Sequence, residues 1–208
     1  MYVMLNTRPD ISAAVNYYSR FQGIATEEHW KGLKRILRYL RGTINLSLRF
    51  RKMKNSIITG YADADWGGDN DRKSTTGFLI EVYGNPVCWV TKKQSTVALS
   101  STEAEYVALA TASTEAVWTR NLLKELGWKL KDPVIMYEDN QACIHLLSKW
   151  EHQRLKHIDI KYNFIRDLSN DGVIRVLYVP SDLQKADLLT KGLTGMKFEK
   201  LRKSFNLQ

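Results

Sequence analysis

Disulfides, membrane spans and repeats are all missing from this chain. Its 208 residues include only two cysteines, Cys88 and Cys143. Two thiols in apolar surroundings give no disulfide framework and read as buried groups kept reduced, and no Cys/His spacing suggests zinc. No apolar stretch approaches the ~18 residues that a membrane span needs, and the start Met1–Pro9 is too short for a signal peptide. The expectation is therefore a protein with no membrane partner, not secreted, and placed in the cytoplasm. No internal repeat or low-complexity segment occurs. Acid is also scarce: 22 Asp and Glu face 31 Lys and Arg, a net charge of +9. A hydrophobic content of 44% with 25% charged residues is ordinary for a globular chain, and this length holds one domain with its own core plus a smaller appendage.

The positive charge is concentrated. Between Lys31 and Lys54 there are nine Lys or Arg and no acid, which equals the whole formal excess of +9. Such a segment reads as a surface for phosphate, where counterion release supplies an affinity that falls with salt; the alternative is a solvated helix face.

The first fifty residues read as helical. Pro9, followed by Asp10 or Ser12 as a cap, opens a helix through Ala13, Val15, Tyr18 and Phe21 that Gly23 breaks. Thr26 with Glu27 and Glu28 opens a second helix, ended by Gly42. There Trp30, Leu33, Leu37 and Leu40 form an apolar stripe to be buried, and Lys31, Lys34, Arg35, Arg38 and Arg41 fill the other faces.

From Asn45 the period changes to two. Leu46, Leu48 and Phe50 alternate as a strand, and Ile57–Asp63 follows as another. After the loop Gly67–Asp71, Gly77–Tyr83 and Val87–Thr91 form a hairpin around Gly84-Asn85-Pro86. A short strand is expected near Thr96–Leu99. A long helix then spans Thr102–Leu126, capped by Ser101 and stopped by Gly127. Strand Val134–Glu138, helices Gln141–Lys149 and His157–Leu168, strand Val173–Val179 and helix Leu183–Thr190 complete the pattern. Three antiparallel strands followed by parallel ones through right-handed helical crossovers put the first and fourth strands side by side. Asp63 and Asp139 then sit together at the carboxyl ends of adjacent strands, the usual place for a site in an open sheet.

Four carboxylates stand at the edges of apolar runs: Asp63, Glu105, Asp139 and Asp187. Acids at strand ends and first helical turns are expensive unless positive charge sits among them, and hard divalent cations shared with phosphate are the simplest such charge. Asp65 has the same strand parity as Asp63 but is expected past the strand end. Glu103 competes with Glu105 but lies in the first helical turn, where an acid needs no further reason. Asp63 and Glu105 are preferred, with Asp65 and Glu103 as possible substitutes. Glu138 is expected to point away from the site and to be peripheral.

The words around these acids carry a resemblance. They are Tyr61-Ala-Asp63-Ala-Asp-Trp66, Asp71-Arg-Lys-Ser-Thr-Thr-Gly77, Ser100-Ser-Thr-Glu-Ala-Glu105-Tyr106, Glu138-Asp139-Asn-Gln141, Lys156-His-Ile-Asp-Ile-Lys161 and Ala186-Asp187-Leu-Leu-Thr-Lys191. Together they resemble the ribonuclease H domain of copia-type retrotransposon polyproteins. Leu5–Asn16 and Glu28–Gly42 are similar to the end of the reverse transcriptase of the same elements, its thumb and connection, without the catalytic palm. The resemblance implies an α/β, ribonuclease H-like mixed five-stranded sheet flanked by helices, preceded by a small helical thumb/connection segment. The expected division is 1–54 for that segment, 55–195 for the ribonuclease H-like domain and 196–208 for a C-terminal helical tail. The chain looks like the tail of a larger polyprotein or a truncated element copy, and polymerisation by itself is not expected.

The implied activity is metal-dependent hydrolysis of the RNA strand of RNA–DNA hybrids. Asp63, Glu105, Asp139 and Asp187 would hold two Mg2+ ions, with Mn2+ as a substitute. Short polar contacts to the hybrid would come from Ser100, Ser101, Thr102, Asn140 and Gln141. Phosphates would fall to Arg72, Lys73, Lys92 and Lys93, and to Lys34, Arg35, Arg38 and Arg41 of the basic helix. Implied partners are the hybrid and the polymerase part of a reverse transcriptase, in the cytoplasm, a virus-like particle or the nucleus. The family's mobile histidine before the last aspartate has no counterpart in Pro180–Gln184, and His157 reads as a helix cap. The alternative function is a catalytically silent nucleic-acid-binding or scaffold fragment.

Overall fold

A computed structural model describes residues 1–51, 57–68, 71–148 and 156–208. The expected boundary between 54 and 55, the loop residues Asp69 and Asn70, the helix end at Lys149 and His152 lie outside the described residues, as does the side chain of His157.

The N-terminal segment holds three helices, α1 (Tyr2–Asn6), α2 (Ser12–Ser19) and α3 (Glu27–Gly42), with a 3-10 turn at Pro9–Ile11 between the first two. α1 was not expected from sequence. α2 ends sooner than the spacing through Phe21 predicts. α3 starts as predicted, with Thr26 as its cap in a reciprocal hydrogen-bonded box with His29. Among the described residues five strands follow: β1 (Ile58–Asp65), β2 (Thr75–Val82), β3 (Asn85–Lys93), β4 (Val134–Glu138) and β5 (Ile174–Tyr178). α4 (Ser101–Glu125) comes between β3 and β4, while α5 (Gln141–Ser148) and α6 (Lys156–Asn170) come between β4 and β5. α7 (Asp187–Thr190) and α8 (Gly195–Ser204) end the chain.

The strands form one sheet of order β3-β2-β1-β4-β5. β1, β2 and β3 are antiparallel neighbours, and β4 and β5 are added in parallel to β1. This is the mixed ribonuclease H-like sheet that the sequence implied, with β1 and β4 adjacent. Period-two alternation divides the sheet into two buried faces. Ala62, Ala64, Phe78 and Ile80 pack with Tyr106, Ala108 and Leu109 of α4 on one face. Leu79 and Trp89 pack with Leu188, Leu189, Leu201 and Phe205 on the other.

Several local expectations are corrected. β1 continues through Asp65, so that residue lies within the strand. The hairpin turn is Tyr83–Gly84, both at positive φ, a two-residue loop whose twist suits the flanking strands. Asn85 and Pro86 therefore belong to β3, an edge strand that tolerates a proline. No strand forms near Thr96–Leu99, and Leu46–Phe50 makes only a single bridge, Leu48 to Leu207. The cap of α4 is Ser100, one residue early, and the helix expected over Leu183–Thr190 shrinks to the four residues of α7.

The N-terminal segment docks on the sheet. Trp89 Nε1 donates to Met4 O at 2.7 Å, and Asn16 Nδ2 donates to Thr91 O at 3.0 Å. The buried pair Arg8–Asp10, at 2.8 Å, also receives Tyr39 Oη on Asp10 at 2.6 Å, and Arg202 of α8 donates to that hydroxyl at 3.2 Å. The apolar stripe of α3 is not buried, contrary to its sequence expectation: Trp30, Leu33 and Leu37 are 55%, 39% and 62% exposed. α3 packs on α2 through Gly32, where an added Cβ would meet the Tyr18 ring, and its C-terminal end is tied to Asp10 and to α8 through Tyr39.

Candidate active site

The parallel β1–β4 pairing carries Asp63 and Asp139 to the same end of the sheet, because β4 stops at Glu138 where β1 runs on to Asp65. α4 crosses that end. Its first turn is fixed locally, with Ser100 Oγ accepting from Glu103 N at 3.1 Å and Glu103 Oε2 accepting from Leu99 N at 2.7 Å. Glu103 is thereby consumed as a cap, and Glu105 faces the strands. Ligand oxygens of Asp63, Glu105 and Asp139 all lie within 4.8 Å of one another, with Asp63 and Glu105 buried and Asp139 half-buried.

Charge is poorly compensated on one side of this cluster. Glu105 Oε2 is buried without a hydrogen-bond partner among the described residues. Its acid is pushed up to about 11, chiefly by burial and then by Asp63 and Glu138. Asp63 rises to about 6, with burial outweighing the pull of Lys191. Buried, mutually repelling carboxylates with an unpartnered oxygen fit a hard divalent cation, which takes oxygen ligands.

Glu138 corrects the sequence reading. It is fully buried and its charge acts on Glu105, so it is not peripheral. Its Oε1 accepts from Asn140 N at 3.0 Å, its Oε2 has no partner among the described residues, and burial raises its acid well above the usual range.

Asp187 stands apart from the three. Lys191 Nζ lies 2.7 Å from its Oδ1 and 2.8 Å from Asp63 Oδ1, joining the two acids. Lys197 Nζ lies 2.5 Å from its other oxygen. Thr190 Oγ1 donates to Asp63 Oδ2. Burial opposes the charge on Lys191, but Asp63 and Asp187 prevail and its pKa is raised. Sequence reasoning gave no role to Lys191, Lys197 or Thr190, although Lys191 follows Asp187 at i+4, the spacing of a helical ion pair.

The expected nucleic-acid contacts divide into groups engaged in local structure and groups that are exposed. Asn140 Oδ1 caps α5 by accepting from Cys143 N at 3.0 Å, and Ser100 caps α4. Lys93 pairs with Asp71 at 2.9 Å, and Asp71 also accepts from Lys73 N. Ser101, Gln141, Lys92 and Arg72 are exposed, Thr102 is partly so, and Lys34, Arg35, Arg38 and Arg41 are exposed along α3. Lys31, Lys34, Leu37, Arg38 and Arg41 line a shallow depression. A cavity of about 440 Å³ opens beside Lys191, with Tyr17, Tyr18 and Arg20 of the N-terminal segment in its wall next to Asp65 and Thr190.

No protein-family model matches the chain. Retrovirus-related Pol polyproteins from transposon RE1 of Arabidopsis thaliana and transposon TNT 1-94 of Nicotiana tabacum are 45% and 44% identical over 93% and 96% of it. The chain spans only 13% and 15% of those polyproteins. A secreted RxLR effector protein 161 of Plasmopara viticola is 50% identical over 57% of this chain and 84% of its own length. Among solved structures, LC11-RNase H1 isolated from compost is 16% identical with a TM-score of 0.49, over 70% of this chain and 98% of that one.

Proposed function

We propose, for a chain that belongs to the copia-type retrotransposon Pol polyproteins, that it is the ribonuclease H part of such a polyprotein and hydrolyses the RNA strand of RNA–DNA hybrids. The observation that carries this reading is the convergence of Asp63, Glu105 and Asp139 around one space, with Glu105 Oε2 buried and without a hydrogen-bond partner among the described residues.

Those three residues would hold a divalent cation, Mg2+ or Mn2+. When bound, such an ion supplies Lewis acidity for an attacking water and for charge building on a phosphate. Asp63 is held in place from one side by Thr190 and from the other by Lys191. Glu105, its acid raised by burial and its acidic neighbours, would have to ionise to hold the cation. Asp139, the most open of the three, lies on the substrate side. Asp187 keeps Lys191 aligned on Asp63, so the expected fourth acid acts beside the shared space. Exposed Arg72 and Lys92, and the cationic face of α3, supply phosphate contacts that fix the register of a hybrid without reading its sequence. The polymerase part of a reverse transcriptase would be a partner, and the uncovered stripe of α3 supports that placement. The site of action would be the cytoplasm or a virus-like particle within it.

A hybrid labelled on its RNA strand, incubated with Mg2+, Mn2+ or EDTA, tests the proposal. Cleavage of RNA in the hybrid with either metal, and none in EDTA or of duplex DNA, is the expected result. Binding of hybrid without cleavage in any lane would overturn it and leave the silent-fragment alternative.

A further inference from the structure

The acids at this site divide into two environments. Asp63, Glu105 and Asp139 share a space with an unpartnered buried oxygen, a place short of positive charge. Between Asp63 and Asp187 the reverse holds, because positive charge is already built in. Lys191 Nζ contacts one oxygen of each acid at 2.8 and 2.7 Å. The remaining oxygens are also taken, Asp63 Oδ2 by Thr190 and Asp187 Oδ2 by Lys197 at 2.5 Å. Lys197 is itself tied to Ser181 O at 3.0 Å. On this side each carboxylate oxygen already accepts from an ammonium or a hydroxyl, while the second lone pairs of Asp63 stay available to the three-acid space.

A divalent ion entering between Asp63 and Asp187 would have to expel an ammonium held by two charge-assisted hydrogen bonds. It would also have to shed most of its own water, which Mg2+ does reluctantly. The ammonium is already the right charge in the right place. It also reaches the surface: the Lys191 side chain is 35% exposed, while those of Asp63 and Asp187 are 0% and 2% exposed. It borders the cavity beside Tyr17 and Tyr18.

We propose that Lys191 occupies the position of a second cation, so that the chain takes up one divalent ion, at Asp63–Glu105–Asp139, and presents the Lys191 ammonium as the other positive charge toward a substrate phosphate. This rests on the function proposed above and gives it a stoichiometry. A point charge on a four-carbon stem can follow a phosphate oxygen without a coordination sphere of its own.

The test counts Mn2+ bound to the full chain by calorimetric titration, alone and with a saturating hybrid whose RNA strand is 2′-O-methylated so that it is not cleaved. The wild-type chain is expected to bind one Mn2+ in both conditions. Lys191→Gln, which vacates the position, is expected to bind two with hybrid present, and Lys191→Arg, which keeps the charge, one. Two Mn2+ on the wild-type chain with hybrid overturn this inference and leave the proposed function standing. A count of one for Lys191→Gln overturns it as well. No Mn2+ on the wild-type chain removes the metal site itself, and both proposals fall together. The wild-type count decides even if Lys191→Gln folds poorly.

Discussion

Replacing Glu105 by Gln separates what its carboxyl does for the empty fold from what it does for the cation. The group is raised from 4.5 to about 11 by burial, Asp63 and Glu138, so at pH 7 it is protonated in the metal-free fold and ionised in the unfolded chain. A raised group contributes stability below its unfolded pKa, and this is lost as the pH climbs toward the folded value. From pH 4.5 to pH 7, at about 1.4 kcal/mol per pH unit, the loss has a ceiling of about 3 kcal/mol. Glutamine is nearly isosteric with the protonated acid and does not titrate. In EDTA, Glu105→Gln should therefore match the wild type near pH 4.5 and exceed it by about 1–3 kcal/mol at pH 7, a rise in Tm of about 2–10 °C for a chain of this length. Mg2+ acts in the opposite direction. At a hundred times its Kd the ion stabilises the wild type by about 2.7 kcal/mol, whereas the variant should respond by less than a third of that. Thermal unfolding by circular dichroism at pH 4.5 and 7, in EDTA and in Mg2+, gives all four values. A variant less stable than the wild type in EDTA at pH 7, or equally stabilised by Mg2+, would refute the reasoning.

Other perturbations probe the remaining parts of the account. Leu109 is fully buried under the sheet, so Leu109→Ala should cost about 2–5 kcal/mol in urea unfolding, with hybrid affinity per folded molecule unchanged. Asp10→Ala strands the buried Arg8 guanidinium, and a loss of about 3–5 kcal/mol is expected by the same measurement. Neutralising Arg38 and Arg41 to Gln should weaken hybrid binding similarly for all sequences and lower the salt slope by about one per phosphate contact removed, measured by fluorescence anisotropy at several salt concentrations. An unchanged slope would make α3 a solvated face.

The sequence reading succeeded where a local pattern and a local reason coincide. Thr26 caps α3 because its side-chain oxygen satisfies a free amide of the first turn, whereas the α4 cap falls on Ser100, next to the Ser101 expected. Apolar runs ended by Asp63 and Asp139 became adjacent parallel strands because crossover rules leave few other arrangements. Failures came from partners distant in sequence or from burial that alternation does not report. Parity suggested that Glu138 was peripheral, but β4 lies inside the sheet between β1 and β5, and Glu138 is fully buried there. α3 has a clear apolar stripe, yet periodicity does not say what covers it, and here nothing described does. Trp89 to Met4 is a contact across 85 positions, and Lys197 reaches Asp187 from another helix. Neither leaves a periodic trace.

The most direct test of the central claim sets cleavage against binding in one variant. Asp139→Asn keeps the shape of the half-buried residue and removes one charge from the three-acid space, while leaving α3 and the loop cations intact. Hybrid affinity within about twofold of wild type, with RNA cleavage in Mg2+ slowed at least about 10²-fold, a barrier raised by about 2.7 kcal/mol, is the predicted result. Cleavage retained at the wild-type rate would contradict the assignment of this cluster as the place where the phosphodiester is hydrolysed.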